Sequence, residues 1–222
     1  MDYMIRAMDK KHTFRLFMVR ATNTVEEARQ HHNTTPTASA ALGRTLIAGL
    51  MMGYMMKNEK DRLTININGG GPIGTILVVS DNSGHVKGYV GNPNVDLDLK
   101  ENGKLNVGGA VGTQGKLTVM MDIGLKEPYV GSTDLVTGEI GEDIAFYYYL
   151  SEQQNTAVAL GVLVDIDYSI KAAGGFMVQT LPFIEEEDLV KLENTLNNLK
   201  SISDYFNNEK DVEEIAKEIF SD

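Results

Sequence analysis

The residues whose types and spacing come closest to a chemical site are the six from Gly69 to Gly74. Their sequence, GGGPIG, satisfies the G-x-G-x-x-G pattern of a dinucleotide-binding loop. Such a loop needs a strand before it and a helix after it, because the pyrophosphate rests on the helix N-terminus. The segment TILVV that follows Gly74 is rich in β-branched residues and indicates a second strand, and no P-loop lysine follows the glycines. We therefore predict a turn between two strands and no bound cofactor, with a nucleotide-binding enzyme as the alternative.

Two histidines and one serine are further candidates. His31 and His32 are adjacent, whereas a metal pair on a helix needs a spacing of three or four to share one face. Ser39, in TASAA, lacks the G-x-S-x-G elbow of a nucleophilic serine, and the sequence assigns it no histidine or acid as partner. We predict neither metal ligands nor catalytic residues here, and we predict that the protein is not an enzyme.

The segment TGEIGED holds three carboxylates, Glu139, Glu142 and Asp143. Two carboxylates can share acid and base work, and several can bind a hard cation. The glycines Gly138 and Gly141 interrupt the segment, and the D-x-D-x-D-G pattern of a calcium loop is missing. The segment therefore favours a turn between strands.

Charge and cysteine content exclude several classes of function. The net charge of −11 repels a phosphate backbone, so we do not expect nucleic acid as a partner. The chain contains no cysteine, which excludes a disulfide, a thiolate zinc site and a thiol nucleophile. The longest apolar run, from Leu46 to Met56, is shorter than the about 20 residues that span a bilayer, and the N-terminal residues lack the apolar core of a signal peptide. We expect a cytoplasmic protein without a membrane segment.

Periodicity predicts the elements that must position these residues. Alternation in DYMIRAM and TFRLFMVRA predicts a first hairpin, and Thr24 is expected to cap a short helix over VEEARQHH. The segment that starts at Pro36 predicts a helix with apolar residues around nearly its whole circumference, which is typical of a helix buried in the interior. Between Leu63 and Val178 we predict strands, including one over IAFYYYL in which Tyr147, Tyr148 and Tyr149 alternate faces. The predicted fold class is α+β: antiparallel β-sheets packed with a buried central helix, followed by a helical linker region.

Four methionines lie at the end of the predicted central helix. Met51, Met52, Met55 and Met56 have flexible thioether side chains, which can adapt to irregular partners. One interpretation is a surface that binds other proteins. The other, which we favour, is that these side chains fill the core around a buried helix.

The last forty residues have a different composition. Residues 183–222 contain twelve acidic and four basic residues, a net charge of −8. The spacing of their apolar residues predicts two amphipathic helices separated by KSISDYFNNEKD. The residues on the two apolar stripes are Leu189, Leu192, Leu196 and Leu199, then Val212, Ile215 and Ile219. Each stripe needs an apolar partner. Because burial of the four leucines alone does not offset the entropy cost of ordering their helix, we expect the segment to switch between docked and released positions.

Several long segments, in order, resemble one known family. They include PTASAALGRTLIAGLMMG, LTININGGGPIGTI, GKLNVGGAVGTQGKLTVMMDIGLKEPYVGSTDLVTGEIGEDIAFYYYLSEQ and AAGGFMVQTLP. These segments resemble the 33 kDa chaperonin family, the redox-regulated heat-shock holdases of bacteria, over nearly the whole chain. The resemblance implies an ATP-independent chaperone that binds unfolding proteins during oxidative and heat stress and acts as a homodimer. It also implies an N-terminal α+β chaperone domain at residues 1–182 and a linker at residues 183–222.

The sequence departs from the family at its end. Family members continue into a C-terminal domain that holds zinc through four cysteines, and oxidation of those cysteines unfolds the linker. That domain is absent here, either because the chain is a piece of a longer protein or because a natural relative lacks the switch. We therefore expect no cofactor in this chain and an activity that does not respond to redox conditions.

The resemblance and the composition lead to one hypothesis about binding. Unfolded or partly folded client proteins are expected to contact the seven residues of the two apolar stripes and the sheet beneath them. The alternative is a regulatory or structural dimerisation domain without chaperone activity of its own.

Overall fold

The computed structural model describes residues 1–182 and 184–220. Phe183, at which the predicted linker begins, and Ser221 and Asp222 at its end lie outside the described residues. Nine strands occur in the described residues: β1 (Tyr3–Met8), β2 (Phe14–Arg20), β3 (Arg62–Asn68), β4 (Ile76–Ser80), β5 (Val86–Val90), β6 (Lys116–Asp122), β7 (Tyr129–Asp134), β8 (Thr156–Val164) and β9 (Ile170–Thr180). The described helices are α1 (Thr22–His32), α2 (Pro36–Tyr54), α3 (Val107–Val111), α4 (Gly141–Leu150), α5 (Glu186–Asn198), α6 (Ile202–Asn207) and α7 (Val212–Phe220).

The strands form two antiparallel sheets. A four-stranded sheet has the order β1-β2-β9-β8, and a five-stranded sheet has the order β5-β4-β3-β6-β7. The hairpin of β1 and β2 pairs Tyr3 with Arg20 and turns at Asp9, whose carboxylate accepts hydrogen bonds from the backbone N–H groups of Lys11, Thr13 and Phe14. The first hairpin and the α+β fold class predicted from the sequence are thus confirmed.

Helix α2 lies in the interior between the two sheets. Sixteen of its nineteen residues are buried, as expected from its apolar circumference. Glycine permits the close approach: a Cβ on Gly43 would lie 2.6 Å from Val25 Cγ1, and one on Gly49 would lie 2.7 Å from Val78 Cγ1. The prediction of a buried central helix is confirmed.

The four methionines at the end of α2 belong to this core. Met51 and Met52 are 0% and 2% exposed, and Met55 and Met56 pack against the same apolar cluster while partly buried. The core interpretation is therefore confirmed for Met51 and Met52, and Met55 and Met56 lie at the margin of the same core.

The predicted strand over IAFYYYL is wrong, because these residues form most of α4. Aromatic residues favour strands, but Ile144, Tyr147 and Tyr148 bury one side of a helix while Tyr149 is 61% exposed. The predicted turn between strands around Asp143 is wrong for the same reason, since this residue lies in the first turn of α4.

The start of one helix and the presence of two others also differ from expectation. Helix α1 begins at Thr22 after Ala21, so Thr24 does not cap it; the hydroxyl of Thr24 donates instead to Asp2 Oδ2 at 2.7 Å. Helix α3 was not predicted, because its sequence VGGAV has two glycines and no amphipathic period. Helix α6 lies within the segment predicted only to separate the two linker helices.

Candidate functional site

The glycine segment from Gly69 to Gly74 connects β3 to β4 and packs on α3. A Cβ on Gly71 would lie 2.3 Å from Ala110 O, and the Gly71 N–H donates to Val111 O at 2.9 Å. Backbone of the same protein therefore occupies the space above these glycines. The predicted turn between strands is confirmed, and no helix follows it to hold a pyrophosphate.

The serine and the two histidines considered in the sequence analysis do not form a common site. Ser39 is 2% exposed, and its Oγ lies 2.6 Å from Thr34 Oγ1, which makes it a satisfied core hydroxyl. His31 and His32 lie at the end of α1 with ring centroids 5.3 Å apart. Within residues 1–182 and 184–220 we find no group of three or more histidine or acidic side chains that could hold a metal.

The three carboxylates of TGEIGED have separate surroundings. Glu139 accepts hydrogen bonds from Arg44 Nη1 at 2.8 Å, from the Gly108 N–H at 3.1 Å and from Lys100 Nζ. Burial acts to raise the pKa of Glu139, but the hydrogen bonds from Lys100 and Arg44 outweigh it and lower the pKa below its ordinary value. A carboxylate that two cations stabilise in its charged form has a structural role and is not suited to act as a general acid.

Asp143 is equally committed to structure. Its carboxylate accepts hydrogen bonds from the backbone N–H groups of Val136 at 2.7 Å, Thr137 at 3.0 Å and Ile140 at 3.1 Å. These bonds fasten the chain that enters α4. Glu142 is exposed, so the segment does not gather its carboxylates into a common site.

The linker, described over residues 184–220, lies on one face of the four-stranded sheet. We call this face the outer face; its buried side chains are Leu16, Met18, Ala172, Phe176 and Val178. The linker contributes Leu192, Ile202, Tyr205, Phe206, Val212, Ile215, Ala216 and Ile219 to the same apolar cluster. The cluster thus joins the last elements of the chain to strands β2 and β9.

The alternation of β2 separates this cluster from the main core. Leu16 and Met18 face the linker, whereas Phe17 and Val19 face α2. Successive side chains of a strand point to opposite sides, so one strand serves two clusters. The pairing of Leu16 with Val178 and of Met18 with Phe176 continues the outer face onto β9.

The structure brings most of the seven predicted stripe residues together. Leu192, Val212, Ile215 and Ile219 are buried in the cluster, and Leu196 and Leu199 pack against it while partly buried. Leu189 is half-buried and lines a neighbouring groove beside α4. These positions show how the linker docks, and their role in binding clients stays a prediction.

Sequence reasoning missed two aromatic residues of α6. Tyr205 and Phe206 are 7% and 3% exposed, and a Cβ on Gly174 of β9 would lie 2.1 Å from Phe206 Cε2. Gly161 of β8 lies under α6 in the same way. A glycine within a predicted strand is a signal of such a close approach. Gly161 and Gly174, which both lie in predicted strands, were therefore the available signals for the position of α6.

A small number of polar contacts attach the linker. Tyr3 Oη donates to Glu213 Oε2 at 2.8 Å and accepts from the Val212 N–H at 3.1 Å. Lys11 Nζ lies 2.8 Å from Asp188 Oδ1. At the other end of the sheet, Arg20 donates to Phe206 O at 3.1 Å and lies 5.4 Å from the centroid of its ring. These contacts lie at the margins of the apolar cluster, so apolar contact dominates the docking.

This arrangement of sheets and linker also occurs in a solved structure of a chaperone. The crystal structure of the 33 kDa chaperonin (heat shock protein 33 homolog) from Thermotoga maritima matches with a TM-score of 0.93 and 41% identity, over 99% of this chain and 75% of that chain. The 33 kDa chaperonin of Alkaliphilus metalliredigens is 57% identical over 90% of this chain and 68% of its own length. That of Clostridioides difficile is 52% identical over 96% of this chain and 73% of its own length.

A sequence model of the family described as Hsp33 protein matches residues 2–222. The chain belongs to the Hsp33 family, as its sequence segments predicted.

The residues present do not fit the zinc site that the resemblance implies. The sequence contains no cysteine, and zinc in that site needs four thiolates. We also find, within the part of the chain that the structure describes, no helix with the length and apolar character of a membrane span.

Proposed function

We propose that this protein is an ATP-independent holdase that binds apolar segments of unfolding proteins on the outer face after the linker helices leave it. The observation that carries the proposal is the continuous apolar surface from Leu16 to Phe176, which is buried beneath a short, separately attached segment. Once the linker leaves, this apolar surface would be exposed, and a large exposed apolar surface is typical of a protein-binding site. Membership of a chaperone family supports unfolded proteins as the ligand.

The charge of the linker supports its release. Residues 183–222 have a net charge of −8, and the first turn of α5 alone contains Glu186, Glu187 and Asp188. Like charges concentrated in one segment repel each other and favour solvation. Most of these acidic side chains lie on the outer sides of the helices, so the apolar sides provide the docking energy. An apolar segment of a client can therefore compete with the apolar sides of the linker helices for the outer face.

The client contacts are proposed to be the outer face together with the seven stripe residues named above. When the linker is released, its stripes become exposed at the same moment as the sheet. A client would then meet apolar side chains on both the sheet and the linker. The absence of cysteine supports an activity that does not depend on thiol oxidation.

Dimer formation and residence in the cytoplasm are proposed by extension from the family. One observation favours a second candidate function, a regulatory or structural dimer without chaperone activity: the linker is docked in this structure, so the outer face is covered. Sedimentation tests the dimer, and proteolysis between Leu189 and Leu199 tests whether the docked position persists in solution.

Light scattering from a thermally unfolding client enzyme tests the holdase proposal. We expect the chain to suppress the scattering without ATP, to the same degree in reductant and in peroxide. An inert protein at the same mass concentration is the control for crowding. Lack of suppression would favour the structural dimer, and a peroxide effect that dithiothreitol reverses would contradict thiol-independent activity.

Photo-cross-linking tests the surface. A benzoylphenylalanine at Leu196, within the docked cluster, is expected to cross-link to client during heating. The same probe at Leu125, which is 66% exposed between β6 and β7, is the matched control and is expected to remain largely unlinked. Equal labelling from both positions would refute the outer face as the binding surface.

A further inference from the structure

A cavity of about 550 Å³ lies at the seam between the linker and the rest of the protein. Val158, Leu160 and Phe176 of β8 and β9 line it from the side of the sheet. Leu199 and Ile202, from the turn between α5 and α6, line it from the side of the linker. Its volume falls within the about 300–1,000 Å³ of small-molecule sites, and its wall has an apolar part beside a larger polar part.

The charged residues of this cavity oppose the charge of the whole chain. The chain has a net charge of −11, yet the cavity has more cations than carboxylates. Its charged lining consists of Arg44, Lys100, Lys104 and Lys200, with Glu139 and Glu142. Two positive charges are therefore left over, in a place where the rest of the surface is mostly negative.

Glu139 does not neutralise these cations completely. It bonds both Lys100 and Arg44, but Arg44 Nε is buried and has no hydrogen-bond partner among the described residues. Lys104 is exposed and makes no ion pair with a carboxylate in the described part of the chain, and Lys200 experiences the field of Glu218, which already pairs with Lys210. An added anion would gain attraction from several of these groups at once.

We propose that this cavity binds a small aliphatic carboxylate, of the class of medium-chain fatty acids. The carboxylate would lie among the lysines, and the chain would lie along Val158 and Leu160, whose side chains share one face of β8. An inorganic anion would leave the apolar part of the wall without a contact, and a neutral lipid would leave the excess positive charge uncompensated.

The position of the cavity gives such a ligand a regulatory effect. Lys200 and Leu199 belong to the linker, whereas Lys104 and Val158 belong to the body. A ligand that contacts both sides binds only the docked state, and so shifts the equilibrium toward it. Binding itself does not depend on the holdase proposal; its consequence for client binding does, since a retained linker keeps the outer face covered.

Calorimetry with octanoate below its micelle concentration tests the site. We expect a Kd on the order of 0.1–1 mM, as suits a ligand of this size. Octan-1-ol has the same chain without the charge, and acetate has the charge without the chain; both are expected to bind at least about tenfold more weakly. Equal binding of octanoate and octan-1-ol would refute the role of the cations.

Charge reversal at one exposed lysine locates the site. Lys104→Glu is expected to weaken octanoate binding about tenfold or more, whereas Lys126→Glu, the same change at an exposed turn elsewhere, should leave it unchanged. Hydrogen exchange of residues 186–220 should slow when octanoate is added. Unchanged binding in Lys104→Glu, or exchange that does not respond, would overturn the proposal. These measurements contain no client, so a failure of holdase activity does not decide them.

Discussion

The substitution Gly161→Ala offers a way to release the linker without altering any linker residue. Gly161 is buried in β8, directly beneath α6. A Cβ at this position would lie 2.5 Å from Ile202 Cγ2, 2.9 Å from Ser203 N and 3.1 Å from Ser203 Cβ. These three nearest atoms all belong to the linker. The added methyl group therefore acts as a wedge against the docked segment.

The size of the effect follows from the cost of overpacking. Forcing an extra methyl group into a packed contact costs about 1–3 kcal/mol. Alanine also restricts the unfolded chain relative to glycine, but that change affects global folding and does not enter the equilibrium between docked and released linker. The released fraction is therefore expected to rise by about 5- to 150-fold.

Hydrogen exchange measures this fraction directly. Amides of residues 202–220 should exchange faster in Gly161→Ala by the same factor, while amides of β3 and β6 in the other sheet should keep their protection. Gly141→Ala is the matched control, because a Cβ there meets Val158 O at 3.7 Å and Leu160 Cδ1 at 3.8 Å, which are ordinary contacts.

Two results would refute this reasoning. If linker amides exchange at the same rate in Gly161→Ala and in Gly141→Ala, the wedge has no effect on docking. If every amide of Gly161→Ala loses protection together, the linker is not a separable unit. In the expected case, the variant should also suppress client aggregation at a lower concentration than the parent chain.

Three further substitutions test other contacts. Tyr3→Phe removes the hydroxyl that bonds Glu213, so linker amides should exchange about 2- to 10-fold faster, for a cost of about 0.5–1.5 kcal/mol. The hydrogen bond from Arg29 lowers the pKa of Glu26 to about 2 from 4.5, so its stabilisation is present above pH 4.5 and is lost as the pH falls toward 2. Glu26→Gln should therefore lower the free energy of unfolding by about 1–3 kcal/mol at pH 7 and by little near pH 2, as measured by denaturant titration. Gly71→Val should lower Tm by several degrees with or without nucleotide, because its side chain would meet backbone rather than a ligand; calorimetry that detects nucleotide binding to the parent chain would contradict this.

The parts of the fold that follow from local pattern could be predicted from the sequence. The residues of α2 are apolar around nearly the whole helix, and this property of the sequence is enough to predict that the helix is buried. The turn at Gly69 to Gly74 could be recognised because β-branched residues follow it. The stripes of α5 and α7 have the helical period, and the structure buries most of their residues on the outer face.

The errors arise where tertiary contact decides between two local preferences. The run IAFYYYL has no clear period, and its aromatic residues favour a strand; packing of Tyr147 and Tyr148 into the core selects the helix instead. Acidic residues at Glu142 and Asp143, ahead of that run, were the available sign of a helix start. The cavity beside Lys104 could not be predicted, because its residues come from six separate parts of the chain.

The alternation of β2 has a consequence for how a binding surface is prepared. While Phe17 and Val19 stay locked against α2, removal of the linker changes the solvation of the outer face but not its shape. An arriving client would meet a rigid surface that is already ordered, so the loss of conformational freedom on binding falls on the client. Under the proposed function, discrimination between proteins would depend on how much extended apolar chain each one exposes. A natively folded protein exposes little and would not bind, although the surface has no pocket that recognises a particular sequence.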